Sequence, residues 1–124
     1  MKKLLMLLSW VICANIVFAQ SPVSFVTTTH DFGKVKQGKP VTFEFVFKNN
    51  SAKPVVVELA TAECGCTTPE YPKAPVMKGK TAIIKVTYNA ADAGAFTKTV
   101  TVKFANVEQP IVLTIEGEVI AQKK

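Results

Sequence analysis

The chain has no arginine, a single histidine and only three cysteines in 124 residues. Each scarcity excludes something. Without arginine there is no planar fork for bidentate contacts to guanine or phosphate, the usual tool of a nucleic-acid reader. Every basic residue is lysine, and beyond Lys2-Lys3 the lysines are spread from Lys34 to Lys124 rather than gathered in a cluster. They read as a solvated surface that keeps strand edges apart, so no nucleic-acid partner is expected. One histidine, His30, has no nucleophile near it in sequence, and no pair of carboxylates stands out: Glu116 and Glu118 fall on the outward side of a strand pattern. No catalytic constellation is present, no cofactor motif is present, and the chain is expected not to be an enzyme.

Long apolar runs are also missing, with one exception. Leu4 to Phe18 follows the positive pair Lys2-Lys3 and ends in Val17-Phe18-Ala19, which has small residues where a signal peptidase needs them. A secretory signal peptide over residues 1–19 is predicted, removed in the mature protein. The run is shorter than the roughly 20 apolar residues of a membrane span, so no span is expected after cleavage, with a retained anchor as the alternative. Ile12 before Cys13 is too bulky for lipoprotein processing, and Cys13 and the single Trp10 leave with the leader. Residues 20–124 then form one domain, long enough to bury a core without cross-links. Lys2 and Lys3 also leave, so 13 lysines face 9 acidic residues for a net charge of +4. A leader and two remaining cysteines place the protein in the periplasm or outside the cell, where thiols tend to oxidise.

What is abundant is alternation of period two in β-branched and aromatic residues. Strands are predicted from Val23 to Thr28 and from His30 to Val35, with Gly33 and Gly38 as turn points. The clearest places Val41, Phe43, Phe45 and Phe47 on one face, and Val55, Val57 and Leu59 continue that inward face on the next. Three more alternate through Ala82–Tyr88, Phe96–Phe104 and Ile111–Val119. Pro69, Pro72 and Pro75 break up the stretch between, which reads as an unpaired crossover loop. No helix is predicted. About seven strands separated by turn signals, with no helix to cross over, predict an all-β fold: an immunoglobulin-like antiparallel β-sandwich, with a small closed barrel as the alternative.

Chemistry concentrates at Cys64-Gly65-Cys66-Thr67. A disulfide, two inert thiols or a metal site all fit two cysteines one residue apart. A bend with positive φ at Gly65 would bring the cysteines close. A bond closing so small a loop would add only about 1.6 kcal/mol by chain entropy, so it is suited to a local, reducible role rather than to holding the fold. A metal site lacks ligands unless His30 joins Cys64 and Cys66 in space, in which case a soft ion such as Cu(I) fits best.

The residues also carry a resemblance. In order, they are His30-Asp31-Phe32-Gly33-Lys34-Val35, Gly38, Val41 through Asn49, Cys64-Gly65-Cys66-Thr67, Ile84-Lys85-Val86-Thr87-Tyr88, Gly94-Ala95-Phe96-Thr97-Lys98 and Leu113-Thr114-Ile115-Glu116-Gly117. Together they resemble the bacterial domain-of-unknown-function 1573 family. Lys78-Gly79-Lys80 departs from that family's usual Pro-Gly-acidic turn. The resemblance implies an immunoglobulin-like domain related to Hydin-type (ASH) and major-sperm-protein modules, mostly non-catalytic units of binding or assembly. The expected function is an exported binding or assembly module whose partner is a protein or another envelope component. The alternatives are a periplasmic redox or copper-binding protein acting through Cys64 and Cys66, and a fibre or adhesin subunit.

Overall fold

The alternating segments pair into two four-stranded sheets packed face to face. The structure, a computed structural model, describes residues 21–121. The proposed leader with Cys13 and Trp10, and the tail lysines Lys123 and Lys124, lie outside the described residues. The strands are β1 (Val23–Phe25), β2 (Thr29–Lys36), β3 (Val41–Asn49), β4 (Val57–Ala62), β5 (Thr67–Glu70), β6 (Thr81–Tyr88), β7 (Gly94–Phe104) and β8 (Ile111–Ile120). One sheet has the order β1-β3-β6-β5 and the other β2-β8-β7-β4. No helix occurs among the described residues.

The inward faces are those the alternation indicates. Phe45 and Phe47 from β3 and Ile84 and Val86 from β6 meet Val102 and Phe104 from β7 and Leu113 and Ile115 from β8, all within 1% of full burial. Burying each such side chain is worth roughly 1.5–3 kcal/mol, and this layer between the sheets is the main source of stability. Edge-to-face contact of Phe47 with Phe104 at 5.3 Å, and Tyr88 stacked on Phe96 at 4.0 Å, tie one sheet to the other.

Four details differ from the sequence expectation. There are eight strands, not seven, because Thr67–Glu70 pairs with β6 and sets Pro69 opposite Val86. Proline is tolerated there because β5 is a sheet edge, where a missing N–H costs no ladder bond. The crossover between sheets is therefore the Cys64–Cys66 corner, not the proline-spaced stretch after it. Second, the sandwich is not wholly antiparallel. The chain bends at Val26, leaves the first sheet and joins the second as β2, which runs parallel to β8. Third, Gly33 is not a turn. It sits inside β2 at φ +69°, where the register with β8 slips between Asp31 and Lys34. Asp31 Oδ1 accepts from the Gly33 N–H at 2.7 Å and closes this bulge. Fourth, Leu59 points outward and is 53% exposed. An irregularity between Val57 and Leu59 shifts the alternation, so Ala60 takes the buried position.

The Lys78-Gly79-Lys80 turn forms despite its unusual residues. Gly79 takes φ +75°, and the Lys80 N–H donates to Met77 O at 3.0 Å. At the same end, Asn49 is fully buried although it opens a polar turn. Its Nδ2 donates to Lys53 O at 2.7 Å and Val76 O at 2.9 Å, and its Oδ1 accepts from the Ser51 N–H and hydroxyl. One amide thus closes both the β3–β4 connection and the loop before β6.

Candidate functional site

The Cys-Gly-Cys stretch forms the corner by which the chain passes from one sheet to the other. Beyond β4, Glu63 stays tied to β7: its N–H donates to Thr99 O at 3.2 Å, and its carboxylate accepts from the Thr99 N–H at 2.9 Å. On the far side, Thr67 starts β5 opposite Tyr88, and the Asn89 N–H donates to Cys66 O at 2.9 Å. Between these anchors Cys64 and Cys66 are paired as a disulfide with Cα atoms 5.3 Å apart, inside the normal range for such a bond. Both cysteines are half-buried. Cys66 packs on the edge of the hydrophobic core, and Cys64 lies outside it.

Thr67 is the polar neighbour of both sulfurs. Its Oγ1 lies 3.6 Å from Cys66 Sγ and 4.0 Å from Cys64 Sγ, and the residue is only 4% exposed. Gly65 is exposed and does not use the positive-φ conformation expected of it. An added Cβ there would meet nothing within 4 Å. The corner turns through the anchored neighbours instead.

His30 is not at this corner. It lies on β2, at the opposite edge of its sheet from β4. There its ring stacks on Phe43 at 3.7 Å and meets the edge of Phe32 at 4.7 Å, bridging the two sheets as an aromatic plug. The set Cys64, Cys66 and His30 considered as copper ligands is therefore not brought together. Among the described residues no three His, Cys, Asp or Glu side chains converge.

One feature beside the corner escaped sequence reasoning. The two sheets have four edge strands, and three are guarded. β1 is only three residues long, β2 carries the Gly33 bulge with Lys34 and Lys36, and β5 carries Pro69. β4 has six residues with no lysine, proline or glycine; its irregularity is confined to its start, between Val57 and Leu59, and from Leu59 to Ala62 it pairs regularly with β7 and displays Leu59 and Thr61. Because Glu63 bonds toward β7, the alternation of an antiparallel ladder leaves the backbone groups of Ala60 and Ala62 on the open side. The exposed charges are Glu58 on β4 and Glu63 just beyond it; the nearby Lys103 turns its ammonium to the carbonyls of Phe104 and Val107. The signal in the sequence was the missing gatekeeper, visible only once β4 is known to be an edge. No helix among the described residues is long and apolar enough to cross a membrane.

Solved structures share this fold at low identity. A protein of unknown function from Porphyromonas gingivalis W83 superposes with a TM-score of 0.68 at 12% identity, over 82% of this chain and 50% of its own. The human CEP192 ASH/PapD-like domain 7 gives 0.67 at 10% identity, over 82% of this chain and 87% of its own. The YadV chaperone gives 0.56 at 13% identity, over 84% of this chain and 55% of its own. The chain thus spans half the length of the P. gingivalis protein. Among curated proteins, none matches the chain in sequence. The sequence profile of the family described as "Protein of unknown function (DUF1573)" matches residues 23–119, nearly the whole sandwich together with its Cys-Gly-Cys corner, and the chain belongs to that family.

Proposed function

We propose that the protein is an exported, non-enzymatic binding module of the bacterial cell envelope that takes up an extended polypeptide segment along the open edge of β4. The observation that carries this is the unguarded edge: a six-residue strand with free backbone groups at Ala60 and Ala62 and an apolar side chain, Leu59, beside them. Strand addition supplies affinity through main-chain hydrogen bonds and selectivity through alternate side chains. Glu58 and Glu63 favour a neutral or basic segment over an acidic one. The leader-like N-terminus supports export. The likeness to an ASH/PapD-like domain and to a protein named as a chaperone supports a protein partner.

The test uses a panel of extended peptides alternating apolar with lysine or serine residues. Binding is expected to slow hydrogen exchange at the amides of Ala60 and Ala62. Leu59→Lys, an exposed and fold-neutral change, is expected to weaken binding at least about tenfold, or ~1.4 kcal/mol. Protection confined to β2 or β5, or unchanged affinity in Leu59→Lys, removes the β4 reading. Sedimentation of the protein alone tests whether a second copy fills the edge, as a fibre subunit would require.

A further inference from the structure

We propose that the Cys64–Cys66 pair is a thiol–disulfide exchange centre for cysteine-bearing polypeptides. Cys64 forms the mixed disulfide, and Thr67 holds the departing Cys66 thiolate. Three observations carry this. The first is asymmetry: both cysteines are half-buried, but Cys66 packs against the core and Cys64 does not, so Cys64 is the sulfur assigned to the incoming thiol. The second is the Thr67 hydroxyl. It is buried, fixed by the pairing of β5 with β6, and set 3.6 Å from Cys66 Sγ, where it can donate to a thiolate. A sulfur that leaves as a stabilised thiolate leaves faster.

The third observation is that the bond is not needed to hold the corner. Glu63 is bound to Thr99 on one side and Cys66 O accepts from Asn89 on the other. The dithiol and disulfide forms can therefore share one fold, and the pair can cycle without unfolding. A cross-link over so short a loop removes little entropy from the unfolded chain, so folding does little to protect it from reduction.

The location suits a polypeptide substrate. Cys64 follows the last residue of β4 by two positions, roughly 7 Å along a strand. A segment paired with Ala60 and Ala62 therefore ends close to it. This preference for polypeptide rests on the docking proposed above; reactivity toward a small thiol does not.

The reaction balances as follows. A substrate thiolate attacks Cys64 Sγ, the Cys64–Cys66 bond breaks, and its electron pair leaves on Cys66, which accepts a hydrogen bond from Thr67. A second substrate thiolate then attacks the substrate sulfur of the mixed disulfide, forming the substrate disulfide and releasing Cys64 as thiolate. Two electrons pass from the substrate dithiol to the pair, and Cys64 and Cys66 take up the two protons that the substrate thiols release. In reverse, the reduced pair opens a substrate disulfide.

The purified oxidised protein is mixed with a reduced, extended two-cysteine peptide or with glutathione. Disulfide-closed Cys-Gly-Cys tripeptide is the reference. The expected result is one-for-one oxidation of the peptide, at least about tenfold faster than by the tripeptide. Cys66→Ser, offered the peptide in its disulfide form, is expected to accumulate a mixed disulfide on Cys64: the Cys64 thiolate opens the peptide disulfide, one peptide sulfur leaves as thiolate, and no Cys66 thiol remains to resolve the adduct. Cys64→Ser is expected to leave Cys66 reacting with the same peptide disulfide about tenfold more slowly, in keeping with its packing against the core. Thr67→Val is expected to raise the apparent thiol pKa of Cys66 measured by alkylation rate. A pair that stays oxidised in excess peptide dithiol, or that reacts no faster than the tripeptide, overturns the proposal. Circular dichroism of the variants verifies that they are folded. Leu59→Lys separates the two proposals: it is expected to slow the peptide reaction and leave the glutathione reaction unchanged. If both thiols react equally in that variant, exchange stands and docking falls. If peptide binds but neither thiol reacts, docking stands and exchange falls.

Discussion

Asn49 shows how much one side chain can hold together. Its amide donates to Lys53 O in the β3–β4 connection and to the buried Val76 O in the loop before β6. Asn49→Leu roughly keeps the volume but removes both donations and leaves the Ser51 N–H without its acceptor, while Val76 O keeps the Val55 N–H and Lys53 O the Ser51 hydroxyl. A loss of about 2–4 kcal/mol is expected, read as a lower urea midpoint at unchanged slope. The sequence placed Asn49 in a turn cluster, because asparagine beside serine and proline is turn chemistry; its burial depends on the distant Val76. Tyr88 gives a second residue-scale prediction. Burial, and then the nearby Asp92 carboxylate, push its phenol above the ordinary value near 10. The folded state thus holds this proton to higher pH than the unfolded chain does. The associated stability is fully present below about pH 10 and is lost as pH rises through the folded value. Tyr88→Phe is expected to flatten the decline of the urea midpoint above pH 10 relative to the parent, leaving it parallel below pH 9.

At the scale of elements, β4, its corner and β5 form one unit: an edge strand, a cross-linked passage between sheets and a second edge strand. The corner keeps its path through backbone bonds at Glu63 and Cys66, and the cross-link closes only a short loop. Replacing both cysteines by serine is accordingly expected to change stability by less than about 2 kcal/mol in urea. A larger loss would make the disulfide a structural brace. The alternation identified β3, β6, β7 and β8 on their correct faces, because each buries a full run of large apolar residues. It mistook Leu59 for a core residue because a bulge shifts the phase of side chains without leaving a mark in composition. It passed over β5 because proline argues against a strand only where the amide is needed, and that depends on whether the strand is an edge. Gly33 and Gly117 are likewise a pair only in three dimensions. A Cβ on Gly117 would come within 2.8 Å of Gly33 O and 2.9 Å of the Phe96 ring. Gly117→Ala should therefore cost about 1–3 kcal/mol, measured by thermal or urea unfolding.

For the whole molecule, the proposed function depends on the chain reaching the envelope. Protein recovered from the periplasm or medium is expected to begin at Gln20 and to lack the mass of residues 1–19. Protein found only in the cytoplasm, with Met1 intact, would remove the exported reading and the oxidising setting of the cysteine pair. The sandwich explains how a mostly lysine-bearing surface and an open edge coexist. Lysines and a proline guard most of the perimeter, and the strand that lacks them lies beside the disulfide.

The sequence by itself determined the fold class, the inward faces of the long strands and the position of the Cys-Gly-Cys motif, because period-two burial and cysteine spacing are local properties of the chain. Only the tertiary structure decided which strands are edges, that β2 runs parallel to β8, that His30 stacks on Phe43 across the sandwich from the cysteines, and that β4 leads unguarded to Cys64. Those facts arise from pairing between residues far apart in sequence. An edge is defined by the neighbour a strand does not have, and the strand's own residues do not record that.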